Sequence, residues 1–514
     1  MKKLTGNRIY SRGAELASNR EVEGRASSMG AEGRMVKEGL GLRLWGALVV
    51  ATLLSLIGVL VAVAAPSPAA VTISFGRSTL HNETSTQPTS LQFGPDGRLY
   101  VAQQNGLIKI YTVKRNGANN YAVTATQTIT KIKNIPNHND NGTLNTAVTN
   151  RLVTGILVSG TAANPVIYVT SSDPRLRNTT LDTNSGVLSK LTWTGSSWEK
   201  VDLVRGLPRS AGSHAPNGLQ LDSSTNTLYI AQGGNTNMGA PSDFFFLLPE
   251  YALSAAILQV DLAAVGNTTY DLPTLNDENR AGDPDANDPF GGNNGKNQAK
   301  LVPGGPVQVY EPGFRNPYDL LIAKSGKMYT IDNSSNDGQG DVPANEGPDG
   351  MCTNDPNEPG MNQPESLHLV QGPDHYGGHP NPTRGNMSNT FNADNPQSPV
   401  TKDNAIECDY QSPGAKNGSL TTFSASTNGL TEYTASNFGG AMKGDLLAAS
   451  FDDKIYRIKL NSTGDGVVSK QALFSNVGTN TLDVTARGDT QRFPGTIWVA
   501  EIGGGTIKVF EPSD

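Results

Sequence analysis

Residues 90–112 read SLQFGPDGRLYVAQQNGLIKIYT, and this stretch decides the fold. Leu91 and Phe93 alternate with polar residues, Pro95-Asp96-Gly97 supplies turn chemistry, and Leu99-Tyr100-Val101 begins a return strand. A period of two on both sides of a turn predicts an antiparallel hairpin with one buried face. The phrase recurs as GILVSGTAANPVIYVTSSDP at 155–174, NGLQLDSSTNTLYIAQGG at 217–234 and YDLLIAKSGKMYTIDNSSN at 318–336. It returns as GAMKGDLLAASFDDKIYRIKL at 440–460 and LDVTARGDTQRFPGTIWVAEIGGGTIKVFEP at 482–512, making six copies. A hairpin unit this small cannot bury both its faces alone, so repeated copies predict radial packing in which each sheet covers the next. The expected fold is all-β: a six-bladed β-propeller over residues 66–514, preceded by an N-terminal signal or anchor helix. Long loop insertions are expected at 235–300 and 338–435, and a strand from Val71 to Phe75 is expected to pair with the last sheet and close the ring. Two non-radial β-sandwiches are the structural alternative, but they give no reason for six copies of one hairpin.

Composition agrees with this reading. Among 514 residues, 57 glycines and 31 prolines punctuate the chain too densely for a helical bundle. The net charge of −7 argues against a nucleic-acid partner, whose phosphates need a basic face. The two cysteines, Cys352 and Cys408, form no CxxC pair, which removes the usual cysteine zinc and redox motifs. Either they form a disulfide, worth roughly 4 kcal/mol of loop entropy, or they are two buried thiols.

The amino-terminal region reads as an address. Residues 1–43 are polar, with nine Lys/Arg against five Glu, and form either a cytoplasmic segment or the product of a start codon placed too early, with Met29 or Met35 as true starts. Residues 44–65, LWGALVVATLLSLIGVLVAVAA, carry no charge over 22 residues, enough to span a bilayer core as a helix. Ala62-Val63-Ala64 is also a signal-peptidase pattern. Both fates, anchor or cleaved signal, predict an extracytoplasmic protein that is membrane-anchored or secreted. Sequons at Asn82, Asn141, Asn178 and Asn461 add little in so Asn- and Thr-rich a chain.

Several stretches resemble the soluble quinoprotein glucose dehydrogenase and sorbosone dehydrogenase family, whose members are six-bladed propellers. GFRNPYDLLIAKSGKMYTIDN at 313–333 is similar to that family's HRNPQGLAF segment, and ANDPF at 286–290 precedes it. SHAPNGLQLD at 213–222, ESLHLV at 365–370, HYGGHP at 375–380 and GDLLAASFDDKIYRIKL at 444–460 extend the likeness over about residues 88–512. The resemblance implies a sugar or alcohol dehydrogenase using pyrroloquinoline quinone and Ca2+ at the mouth of the ring. By position, His214 resembles the general base, Arg315 and Asn316 resemble cofactor-site residues, and Ser334 and Ser335 fall where two backbone carbonyls ligate calcium. Imidazole accepts a proton near neutral pH, and an arginine stabilises charge developing on a quinone. Read without the resemblance, His214 is a turn histidine capping backbone groups, and Arg315-Asn316 anchors a strand.

The sequence departs from the family at three places. Asp452 and Asp453 stand where basic residues are expected, and a carboxylate ~5 Å from a quinone carboxylate costs roughly 3 kcal/mol. The expected lysine has only the misplaced Lys443 to match it, and serines replace a Gly-Pro pair. A separate calcium candidate is GDPDANDPFGGNNG, with Asp283, Asp285 and Asp288 on a flexible turn; a solvated acidic loop is the alternative. The acidic insertion with Asp337, Asp341, Glu346 and Asp349 invites the same two readings. His375 and His379 are four apart, but Gly377-Gly378 and Pro380 forbid the helix of a zincin pair, so they read as loop histidines. Two functions follow: a quinone-dependent dehydrogenase of a small-molecule sugar or alcohol, or a non-catalytic cell-surface propeller binding carbohydrate, protein or calcium.

Overall fold

The computed structural model describes residues 71–275, 289–343, 360–385, 404–410 and 419–513. Residues 1–43, the 44–65 run, Cys352 and the Asp283, Asp285 and Asp288 loop lie outside the described residues. Among the described residues no helix is long and apolar enough to cross a membrane.

Six antiparallel sheets follow one another along the chain. Blade 1 comprises Pro88–Phe93, Leu99–Gln103, Ile108–Gly117 and Asn120–Ile129. Blade 2 comprises Leu152–Gly160, Pro165–Ser172, Gly186–Trp193 and Trp198–Leu207, with the short Tyr270–Asp271 added in parallel at its outer edge. Blade 3 is Pro216–Asp222, Thr227–Gln232, Ala256–Asp261 and Val307–Pro312. Blade 4 is Pro317–Ile322, Met328–Asp332, Glu365–Val370 and Ser419–Phe423. Blade 5 is Thr427–Glu432, Leu446–Ser450, Lys454–Leu460 and Val467–Phe474. Blade 6 takes Thr481–Ala486, Ile497–Glu501 and Thr506–Pro512 from the carboxyl end and its fourth strand, Phe75–Thr79, from the other end of the chain. That strand pairs Phe75 with Pro512 and Thr79 with Lys508, so the ring is closed as expected, a few residues further along than the Val71–Phe75 reading.

The first strands of successive blades touch in turn, and the sixth touches the first. One apolar cluster fills each of the six seams between neighbouring blades. Between blades 6 and 1, for example, the fully buried Trp498 meets the rings of Phe93 and Tyr121 edge-on at 5.1 and 5.3 Å. The alternating residues therefore do face a neighbouring sheet.

Around the axis one position recurs in the six innermost strands as Ser90, Gly155, Gly218, Asp319, Gly429 and Asp483. The glycines allow the next strand to approach. A Cβ on Gly218 would lie 2.7 Å from the Asp319 Cα, and one on Gly429 would lie 2.4 Å from the Asp483 Cα. Each aspartate then stitches its strand to the next blade. Asp319 accepts the Leu430 backbone N–H at 2.9 Å, and Asp483 accepts that of Leu91 at 2.7 Å.

Two expectations shift in register. The 440–460 copy supplies the second and third strands of blade 5, and the innermost strand is the less hydrophobic Thr427–Glu432. The stretches read as insertions also contain ladder strands: Ala256–Asp261 lies within 235–300, and Glu365–Val370, Ser419–Phe423 and Thr427–Glu432 lie within 338–435.

Candidate functional site

Register places several predicted residues together. Pro216 pairs with Gln232, and Pro317 with Asp332, so His214, Gly233-Gly234, Arg315-Asn316 and Asn333-Ser335 all lie at the starting end of the innermost strands. Gly233 is the point of closest approach. A Cβ there would come within 2.8 Å of both the His214 Cβ and Asn316 Oδ1. Beside it, Gly234 donates its N–H to the Arg315 carbonyl at 2.7 Å. The Gly234 carbonyl accepts from His214 Nδ1 at 2.9 Å.

That bond sets the chemistry of His214. A carbonyl only accepts, so the proton sits on Nδ1 and Nε2 is left as the acceptor nitrogen. Burial, followed by the positive charge of Arg315, holds the imidazole well below its usual pKa, so it is neutral around pH 7. The Phe245 ring lies 5.3 Å away, and Arg177 stacks on the adjacent Phe244 at 4.2 Å.

Arg315 is only 5% exposed and is held by the chain itself. Its Nε donates to Asn237 Oδ1 at 3.2 Å, Nη1 to the Asn333 carbonyl at 3.2 Å and Nη2 to Gln339 Oε1 at 3.1 Å. Asp332 accepts the backbone N–H groups of Arg315 and Asn316 at 3.1 and 2.8 Å. Asn316 Oδ1 accepts from Asn217 Nδ2 at 3.0 Å. Ser334 donates its N–H to Glu365 Oε2 at 2.6 Å, and burial pushes the Glu365 carboxyl up to about 8. The Ser335 carbonyl accepts from Gln363 N at 3.0 Å, and its hydroxyl donates to the Met361 carbonyl at 2.8 Å.

Sequence reasoning missed the support behind this cluster. His379 Nε2 lies 2.7 Å from Glu250 Oε1, both buried. Glu250 also accepts from Asn235 N, Thr236 N and Ser254 Oγ. Burial raises its pKa, but the hydrogen bond and charge of His379, helped by Ser254 and Thr236, outweigh that and hold it below the usual range. The buried Arg384–Glu407 pair, at 2.8 Å, fastens the same layer, with Arg384 also donating to the Ala252 and Ser254 carbonyls. Cys408 is disulfide-bonded, and the chain has only one other cysteine, Cys352. His375 is set apart, beside Gln371 at 3.0 Å. One signal for this layer was present in the sequence: a lone Glu250 within the apolar stretch FFFLLPEYALSAA has to be paired if that stretch is buried.

In this structure the residues expected to hold pyrroloquinoline quinone and calcium bond to the chain itself. The guanidinium meant for the quinone bonds three groups of its own chain, and one of the two carbonyls meant for calcium accepts from Gln363. The Phe451–Asp453 turn follows Ser450, the partner of Thr427, and so lies at this same end, but it supplies no cation. Asp452 Oδ2 accepts from Lys454 Nζ and the Tyr456 hydroxyl, each at 2.6 Å, and Asp453 Oδ1 accepts from Asn480 N at 3.0 Å. Among the described residues no group of three or more His, Cys, Asp or Glu is arranged to hold a metal ion.

No protein-family profile matches this sequence, and no curated protein matches it. Among solved structures the propeller is similar to a family AA12 carbohydrate-active enzyme of Trichoderma reesei, 13% identical over 86% of this chain and 97% of that one, TM-score 0.47. It is also similar to the PQQ-bound aldose sugar dehydrogenase of Streptomyces coelicolor, 14% identical over 86% and 100%, TM-score 0.45. A third is the PQQ domain of Coprinopsis cinerea pyranose dehydrogenase, 11% identical over 86% and 96%, TM-score 0.48. The six-bladed ring is established by the chain's own sheets, and the chemistry at His214 by the residues found there.

Proposed function

We propose that this chain is a sugar-dehydrogenase-like propeller that binds a sugar or related polyhydroxy alcohol at the His214–Arg315 end and engages one of its hydroxyls through His214. The observation that carries this reading is the fixed tautomer: Nδ1 is committed to the Gly234 carbonyl, which turns Nε2 into the acceptor. A neutral, buried imidazole so arranged accepts a hydrogen bond from a hydroxyl of the bound molecule. Arg315, locked by three bonds, contributes a fixed positive field beside it. Calorimetric titration of the purified chain with D-glucose and D-xylose tests this. His214→Ala should weaken binding at least tenfold; equal affinities for wild type and variant refute the reading.

The second reading, quinone-dependent oxidation, is favoured by the convergence of His214, Arg315 and Asn316 on one point. Dye reduction with aldoses after incubation with pyrroloquinoline quinone and Ca2+, abolished in His214→Ala, would establish it. A location outside the cytoplasm is part of the proposal. It is supported by the 44–65 run and by the disulfide at Cys408, a bond that persists in oxidising compartments.

A further inference from the structure

Arg487 follows directly on Thr481–Ala486, the innermost strand of blade 6, so it stands at the end of the ring opposite His214. Its backbone is fixed: the N–H donates to the Thr496 carbonyl at 2.9 Å, and the carbonyl accepts from Gly495 N at 3.0 Å. The side chain is packed as well. Its guanidinium carbon lies 4.2 Å from the centre of the Phe93 ring, Nε donates to the Arg492 carbonyl at 3.0 Å, and the residue is only 6% exposed.

A charge packed this deeply is ordinarily matched by a carboxylate. Here the neighbouring acids are committed elsewhere. Asp489, on the same loop, accepts the Ser436 N–H and hydroxyl at 2.7 and 2.9 Å. Asp96, on the turn after Phe93, pairs with Arg98 at 2.6 Å and accepts from the Tyr100 hydroxyl at 2.8 Å. Burial therefore acts on the Arg487 guanidinium unopposed and pushes it down to about 10. The remaining charge on the 487–496 loop is also positive: Arg492 lies over the Phe493 ring at 4.8 Å, and that ring is 6.2 Å from Phe93.

Nη1 and Nη2 are what Arg487 has left to offer. Among the described residues neither has a hydrogen-bond partner, and neither is among the nitrogens sealed from solvent. Two N–H groups held in place and open to solvent form the fork that binds a carboxylate, sulfate or phosphate group through two oxygens. Because Phe93 and the Arg492 carbonyl already hold the side chain, little freedom is lost when the fork is filled. A cation would be repelled, and a neutral sugar would leave the buried charge unmatched.

We propose that Arg487 anchors a binding site for a small oxyanion, at the end of the ring opposite His214. The proposal does not rest on the reading of His214. The test is calorimetric titration of the full chain with inorganic phosphate, with sulfate and acetate as separate arms, at constant ionic strength set with sodium chloride. At least one of the three should bind wild type and His214→Ala alike, with affinity weakened about tenfold or more in Arg487→Gln. The arm that binds most tightly identifies the oxyanion. Absence of binding in all three arms, or equal affinity in wild type and Arg487→Gln, overturns the proposal. Should Arg487→Gln fail to fold, Arg487→Lys takes its place: it keeps the charge without the fork and should bind more weakly than wild type, and unchanged affinity overturns the proposal.

Discussion

The seams between blades and the layer over His214 are both buried, yet they are held by opposite means. In the seams, leucines, valines and aromatic rings meet without direction, and the contribution of each grows with the apolar area it hides. Over His214, single hydrogen bonds hold the parts: Arg315 to Gln339, Ser334 to Glu365, His379 to Glu250. Such bonds contribute little net stability but cost a great deal when only one partner is removed. The ring is therefore tolerant in detail, and the layer over His214 is specific.

Substitutions can break or sharpen this contrast. Trp498→Ala opens the seam between blades 6 and 1 and should cost about 4 kcal/mol of unfolding free energy in denaturant titration. A loss under ~1 kcal/mol would mean the seam is not what holds the ring shut. Arg384→Ala strands the buried Glu407 charge and should cost about 3 kcal/mol, most of it recovered by adding Glu407→Gln. Failure of that rescue would place the fault in packing, not in charge, and the two regions would differ less than described.

The third substitution reads pH. The folded chain keeps a proton on Glu365 up to about pH 8, whereas the unfolded chain releases it in the ordinary carboxylate range. The stability this proton confers is complete in acid and fades as pH rises toward 8. Glu365→Gln, whose amide oxygen can still accept from Ser334, should raise stability at pH 8 by about 1–2 kcal/mol and do little at pH 4. Melting curves across that interval check it. Smallest is Leu247→Gly. Phe246 and Leu247 both hold left-handed backbone, φ 61° and 57°, at the tip of the segment packed on His214, and Leu247 is half exposed. Glycine there should add about 0.5–1 kcal/mol, and a loss instead would show that the Leu247 side chain has a contact of its own.

The contrast also explains what could be read beforehand. Seams announce themselves: Leu91, Phe93, Leu99 and Val101 repeat at a period of two because a neighbouring sheet waits on one side. Thr427–Glu432 escaped notice because its role is close approach at Gly429, and such a strand carries little apolar pattern. At the site, His214, Arg315 and Asn316 were visible through their local phrases. Asn237, Gln339 and Glu250 were not, since each acts on a residue far along the chain and nothing local marks the pairing. The quinone expectation also came from local phrases, whereas the long-range partners of Arg315 and Ser335 lay outside them.

Blade 6 draws its outer strand, Phe75–Thr79, from one end of the chain and its other three from the last residues before Ser513. As the protein is synthesised, that early segment waits with its edge bare until the final strand leaves the ribosome, since Thr506–Pro512 is its ladder partner. A product truncated before Thr506 would have five complete blades and an unzipped sixth. Such nascent chains should be the ones that chaperones bind and proteases remove.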